Sequence, residues 1–174
     1  MGNIKKYHYF VEGECEKKLI NVLKEQKNLI IPGRVEILNV TQERLTDLKL
    51  RTLSKGTILI FVFDTDIEKT DILKENLELL SKETRFKTVW CVMQVPNLEG
   101  ELIKATNIKN IKDLLGSNSL KEFKEEFIKE KNLYSKLCKK EFRLEKMWNS
   151  KPGNAYKSIH NDGDKIKLGK KVCQ

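Results

Sequence analysis

Five carboxylates and one amide in this chain have the types and spacing to hold a hard divalent cation. Glu12 follows the aromatic and β-branched run Tyr7-His8-Tyr9-Phe10-Val11, and Glu16 comes four residues later. Asp64 and Asp66 close the run Thr57-Ile58-Leu59-Ile60-Phe61-Val62-Phe63, while Asn97 and Glu99 follow Thr88-Val89-Trp90-Cys91-Val92-Met93. Each has an ordinary use alone. Paired aspartates are turn residues, and Glu14 or Glu16 at a helix start complements the helix dipole. Gathered at one edge, such acids repel one another severely unless a cation lies among them. Hard oxygen donors in this number suit Mg2+ or Mn2+.

The order of elements is what would gather them. Tyr7–Val11 reads as a buried strand ending in a tight turn at Glu12-Gly13, and Cys15 to Lys27 as a helix with Leu19, Ile20, Val22 and Leu23 on one stripe. Arg34–Val40 is a second strand, and Gln42 to Leu53 a second helix with Leu45, Leu48 and Leu53 inward. Thr57–Phe63 is apolar throughout, as a strand covered on both faces must be. Asp71 to Lys82 is a third helix, with Ile72, Leu73, Leu77 and Leu80 inward, before a fourth strand at Thr88–Met93. Alternation of this kind implies right-handed crossovers and a mainly parallel sheet flanked by helices. In such sheets ligands collect beyond the carboxyl ends of the strands. Glu12, the Asp64–Asp66 pair and Asn97–Glu99 all fall there, and a helix starting at Gly13 turns Glu16 toward the same place.

After Pro96 the chain reads as helices and loops without a further strand. Ser119-x-x-Glu122 fits a capping box, with Phe123, Phe127 and Ile128 following at helical spacing. Pro152, Gly153, Gly163 and Gly169 mark a loop-rich end. The expectation is a catalytic domain over 1–106 with a helical appendage over 107–174. Cys15, Cys91, Cys138 and Cys173 are far apart and form no C-x-x-C pair, so they read as free thiols. His8, mid-strand, reads as a packed or edge histidine and not a base, and His160 as a residue of a polar loop. Trp90 and Trp148 read as core aromatics, and Asn161-Asp162-Gly163-Asp164 as a turn, since it lacks the remaining ligands of a calcium loop. The first residues lack the apolar core and cleavage site of a secretory signal, and Lys6 stands where a myristoylation signal needs Ser or Thr. No apolar run approaches the roughly 20 residues of a membrane span. A cytoplasmic address without a membrane partner is expected. A net charge of +9, from 34 Lys and Arg against 25 Asp and Glu, would draw in DNA or RNA. The same lysine-, isoleucine- and asparagine-rich composition also follows from an AT-rich genome.

The segment Val11-Glu12-Gly13-Glu14-Cys15-Glu16, followed about fifty residues later by strand-borne Asp64-Thr65-Asp66, resembles the Toprim pattern of primases, topoisomerases and related nucleases. It is most similar to the OLD-like and RloB-like branch, in which a second Glu follows the first by four positions, as Glu16 does. An S-x-E element after the fourth strand of that branch corresponds to Asn97-Leu98-Glu99, with Asn in place of the hydroxyl residue. The resemblance spans residues 4 to 106. It implies a Toprim-like, Rossmann-like α/β fold and a nuclease that hydrolyses DNA or RNA phosphodiesters with two Mg2+ or Mn2+ ions. Glu12, Glu16, Asp64, Asp66, Asn97 and Glu99 would be the metal residues, and Lys157, or failing it Lys151, the cation for the phosphate. By analogy the role is a bacterial anti-phage effector. No G-x-x-x-x-G-K-[ST] is present, so an ATPase partner would be a separate chain. Homo-oligomerisation is left open. Two rivals stand beside this reading. One is a non-catalytic nucleic-acid-binding or adaptor subunit. The other is a haloacid-dehalogenase-type phosphatase using Asp64 and Asp66, although that family carries its D-x-D on the first strand, with Thr or Val where Glu68 stands.

Overall fold

A computed structural model describes residues 5–169 and Cys173. The start of the resemblance at residue 4, the first four residues of the stretch read for secretory and myristoylation signals, and the extreme of the loop-rich end lie outside the described residues. Four parallel strands form one sheet in the order β2-β1-β3-β4: β1 Lys6–Val11, β2 Arg34–Ile37, β3 Thr57–Asp64 and β4 Thr88–Gln94. Helices α1 Glu14–Asn21, α2 Asp47–Arg51 and α3 Asp71–Ser81 follow the first three strands in turn. The chain is thus an α/β protein with an all-parallel sheet, as the alternating pattern requires. The expected strand limits hold within one residue for β3 and β4, while β2 stops at Ile37, short of Val40.

Strand alternation divides the core. Tyr9 and Val11, Ile58, Ile60 and Val62, and Val92 point to the face covered by α1 and by the helices after Pro96. Phe10, Leu59, Phe61, Phe63, Cys91 and Met93 point to the other face, against Leu50 of α2, Leu73 and Leu80 of α3, and Tyr156. Both faces of β3 are therefore dry, which accounts for its unbroken apolar sequence.

The second helix is far shorter than its leucine spacing predicts. Only Asp47–Arg51 is helical, started by Thr46, whose Oγ1 accepts from the Lys49 amide at 3.2 Å. The segment before it is held by a buried side chain of α3. Asn76 Nδ2 donates to the carbonyls of Val40 (2.9 Å) and Glu43 (2.8 Å), and its Oδ1 accepts from the Leu45 amide at 2.8 Å. Backbone groups satisfied in this way need no helix. The register changes with it: Leu48, expected inward, is 77% exposed, and Leu50 is fully buried instead.

Beyond Pro96 come α4 Leu98–Ala105, α5 Leu120–Lys129 and α6 Leu133–Lys139, with single turns between. Ser119 caps α5 through the Glu122 amide (3.1 Å), while the Glu122 carboxylate reaches back to the amide of Asn118 at 2.7 Å, one residue before the box position. Phe123, Phe127, Leu133, Leu137 and Trp148 join the same buried cluster as Val11 and Val62, so this half shares the core of the sheet domain. Glu101, fully buried, ties the two together by accepting from the amides of Val95 (2.9 Å) and Trp148 (2.7 Å) and pairing with Lys104 at 2.8 Å.

The outer side of β4 is lined by residues from near the end of the chain. The Asp162 amide donates to Cys91 O at 2.6 Å, Asp162 Oδ2 accepts from the Cys91 amide at 3.0 Å, and Asn161 Oδ1 accepts from the Met93 amide at 3.1 Å. Gly163 permits this approach, since a Cβ there would lie 2.1 Å from Trp148 O. One expectation is overturned: Cys138 and Cys173 form a disulfide, with Cα atoms 5.1 Å apart, while Cys15 and Cys91 remain thiols. Folding brings together two cysteines 35 residues apart, which no local spacing reveals. Among the described residues, no helix is long and apolar enough to cross a membrane.

Candidate functional site

The carboxyl ends of β1 and β3 meet the acids first. Val11 is in register with Val62, so the next residues along each strand are neighbours and Glu12 reaches across to β3. Glu12 Oε1 accepts from the Asp64 amide at 3.2 Å and from Thr41 Oγ1 at 3.3 Å. Asp64 Oδ1 is buried with no hydrogen-bond partner, an unusual position for a carboxylate oxygen. The turn carrying Asp66 is locked to the segment after β4, because the Thr65 amide donates to Gln94 O (3.0 Å) and Pro96 O (2.7 Å), and Thr65 Oγ1 also bonds Gln94 O at 3.0 Å. Asp66 itself is exposed. Glu16 is buried and folds back over Gly13, where a Cβ would stand 3.2 Å from Glu16 Oε2. Gly13 therefore leaves room for that carboxylate.

Asn97 and Glu99 occupy the start of α4 but are engaged elsewhere. Asn97 Oδ1 caps the helix by accepting from the Gly100 amide at 3.0 Å. Glu99 Oε1 lies 3.0 Å from Lys124 Nζ on α5. Lys157 and Lys151 are exposed, and among the described residues neither stands within ion-pair distance of these acids. Lys124 is the cation brought to the cluster. Nothing in its spacing marks it, because its place depends on α5 lying against α1, where Cys15 Sγ approaches Lys124 O at 3.9 Å. Thr41 and Tyr156 were equally invisible: Tyr156 stacks on Phe63 and donates its hydroxyl to Ile67 O at 2.6 Å, beside the Asp64–Asp66 turn.

The acids act on one another strongly. Burial, then the charges of Glu12, Glu16, Asp66 and Glu99, push Asp64 up to about 9. Burial pushes Glu12 up to about 7, with Glu16 and Asp66 adding to the rise and the Asp64 amide and Thr41 opposing it. Glu16 is raised by burial and by Glu99, against the pull of Lys124. Tyr156 is raised to about 12 by burial and by Glu12, Asp66 and Asp64. All five carboxylates thus fall within one electrostatic neighbourhood. As the side chains are turned, however, no three His, Cys, Asp or Glu groups among the described residues stand close enough to hold an ion. Glu12, Asn97 and Glu99 would each have to leave a present partner. By donor type and by the orphaned Asp64 oxygen, the set fits a hard divalent cation.

The remaining residues have structural roles. His8 is buried, bonded to Glu36 at 3.2 Å and lowered to about 4 by burial and then by Arg34 and Lys49, so it is neutral. His160 is exposed and contacts Asp162 at 3.0 Å. Trp148 is in the core and Trp90 is half-buried against Tyr7. The 161–164 segment is a turn leading into a single helical turn at Gly163–Ile166. Asp64 ends the third strand, after two strand-helix units, and not the first strand that a haloacid-dehalogenase arrangement requires.

Fold and site together define an α/β protein with a parallel four-stranded sheet, consistent with a Rossmann-like fold, and a carboxylate cluster at the strand ends. In comparison with known proteins the chain matches no family model, no curated protein and no solved structure.

Proposed function

We propose that the chain is a Toprim-type, OLD-like or RloB-like metal-dependent nuclease acting on DNA or RNA in the cytoplasm, in bacterial anti-phage defence. One observation carries the reading: a buried, unbonded Asp64 oxygen beside Glu12, at the strand-end edge where Glu16, Asp66 and Glu99 also press their charge. Desolvated like charges of this kind are stable only with protons or a cation among them. Glu12, Asp64 and Asp66 would hold the first Mg2+ or Mn2+, and Glu16, Glu99 and Asn97 a second. Bound metal supplies Lewis acidity for the phosphate and a lowered pKa for the attacking water. The chain contributes the rest. Thr65 fixes the aspartate turn, Gly13 clears the Glu16 carboxylate, and exposed Lys157, next to anchored Tyr156, is available to an arriving phosphate. The net charge of +9 favours a polyanion. An ATPase, if used, would come from a separate chain.

The second reading is a non-catalytic nucleic-acid-binding or adaptor subunit. It is favoured by the present side-chain placement, in which Glu12, Asn97 and Glu99 are already satisfied within the protein. One experiment separates the two: incubation with single-stranded RNA, tRNA and plasmid DNA with Mn2+, Mg2+ or chelator, alongside the Mn2+-induced shift in melting temperature. A nuclease shows metal-dependent cleavage and a shift, both abolished in Asp64→Asn. Binding without cleavage and without a shift makes the adaptor reading the correct one.

A further inference from the structure

Lys124 is the only cation that the structure sets against this acid cluster among the described residues, and it comes from the helical half of the chain. Its Nζ is 3.0 Å from Glu99 Oε1, with Glu99 only 16% exposed and Lys124 51% exposed. Its charge and that of Glu99 both act on Glu16, the buried acid of α1. Lys124 thus faces the two carboxylates that a second cation would need, and not the Glu12–Asp64 pair. Its anchor is rigid, because the preceding Phe123 and the following Phe127 are both fully buried in the shared core. The stem is mobile enough to leave: four methylenes carry an ammonium that is half in solvent.

We propose that Lys124 is a built-in counter-ion for the Glu16–Glu99 side of the site, one that a divalent cation must displace and whose ammonium is then released toward the substrate phosphate. This rests on the metal-dependent reading above. A site of this kind couples two events. Without metal, Lys124 neutralises Glu99 and is unavailable to a polyanion. With metal, Glu99 exchanges its partner and the freed ammonium adds to the attraction for the nucleic-acid backbone. Linkage requires the coupling to be reciprocal, so bound polyanion that takes up Lys124 also eases metal entry.

The test compares Mn2+ binding, by calorimetry or by loss of the free-ion paramagnetic resonance signal, in wild type, Lys124→Gln and Lys121→Gln. Lys121 lies on the same helix, is exposed, and has no acid within ion-pair distance among the described residues, so it controls for general loss of charge. Removing the competitor should make the weaker Mn2+ site roughly twofold to fivefold tighter in Lys124→Gln, the range expected for a partly exposed ion pair. Lys121→Gln should bind Mn2+ like wild type. A single-stranded oligonucleotide titrated with and without Ca2+ gives the second readout: the metal-induced gain in affinity should shrink in Lys124→Gln alone. Unchanged or weaker Mn2+ binding in Lys124→Gln, with normal binding in wild type, overturns the counter-ion role and leaves the metal-dependent reading standing. Absence of Mn2+ binding in wild type at millimolar metal overturns both.

Discussion

Asp64 loses hydration at the end of β3 and gains acidic neighbours, and together these push its carboxyl up to about 9. A carboxylate whose folded pKa lies above its unfolded value stabilises the fold fully at pH values below about 4 and loses that contribution as pH rises through the folded value. Glu12 behaves likewise up to about 7. Neutral, buried His8, lowered to about 4, acts oppositely, its contribution being lost as pH falls below about 6.5. Across the window from about pH 6.5 to 8 the decline is therefore mainly that of Asp64, with the end of the Glu12 titration beside it, while above it the thiols of partly buried Cys15 and buried Cys91, pushed up to about 11 and about 12, add a decline of their own. In chelator, the melting temperature followed by circular dichroism should fall across this window in wild type and fall clearly less in Asp64→Asn, where only the Glu12 part of the decline is left. A wild-type curve that rises there would show that Asp64 is not a destabilised carboxylate. Glu16 and Glu99 make a further pair of tests. Glu16→Ala removes a buried negative charge, so the metal-free melting temperature should be unchanged or higher. Glu99→Ala gives up only a partly exposed pair with Lys124, worth within about 1 kcal/mol. Both variants should show a smaller Mn2+-induced rise and lose most cleavage, and full cleavage by Glu16→Ala would mean that one cation suffices.

Among the elements, α3 does more than cover the sheet, because Asn76 supplies the bonds that hold residues 40–45 in an irregular path. Through Thr41 that path also supports Glu12. Asn76→Ala would leave two carbonyls and one amide without their partner, and should cost about 2–4 kcal/mol in urea denaturation. A cost near zero would show that water replaces the amide without loss. Asn76 also marks the limit of reading from sequence. The strands were legible because burial on both faces of a parallel sheet leaves continuous apolar runs, and the acids were placed by the rule that strand ends gather ligands. Period alone suggested a helix over 42–53, since Leu45, Leu48 and Leu53 fit one stripe and nothing local reveals that a distant asparagine has taken the backbone groups. Lys124 and the Cys138–Cys173 bridge were hidden for the same reason, each depending on how the later helices lie on the sheet. Asn97 was placed correctly after β4, yet its role as the cap of α4 follows from backbone geometry that a three-residue motif does not encode.

For the whole molecule, the shared core makes the later helices part of the same folding unit as the sheet, and the buried Glu101 bridges the loop after β4 to Trp148. The run of residues beside β4 has a further consequence for how copies of this protein behave toward one another. An unpaired outer strand offers a ready template for a second chain, and a strand such as β4, rich in apolar residues and buried from Cys91 to Gln94, is a hazardous one in a crowded solution. Asn161 and Asp162 occupy that template with side-chain and main-chain bonds while Gly163 turns the chain away before it can extend as a strand. They act as a plug against recruitment, and Asn161→Ala combined with Asp162→Ala should uncork it. Dynamic light scattering at increasing protein concentration should then show assemblies growing from the variant while wild type keeps a constant radius. A variant that keeps the wild-type radius at every concentration would mean that this side of the sheet is guarded by some other feature.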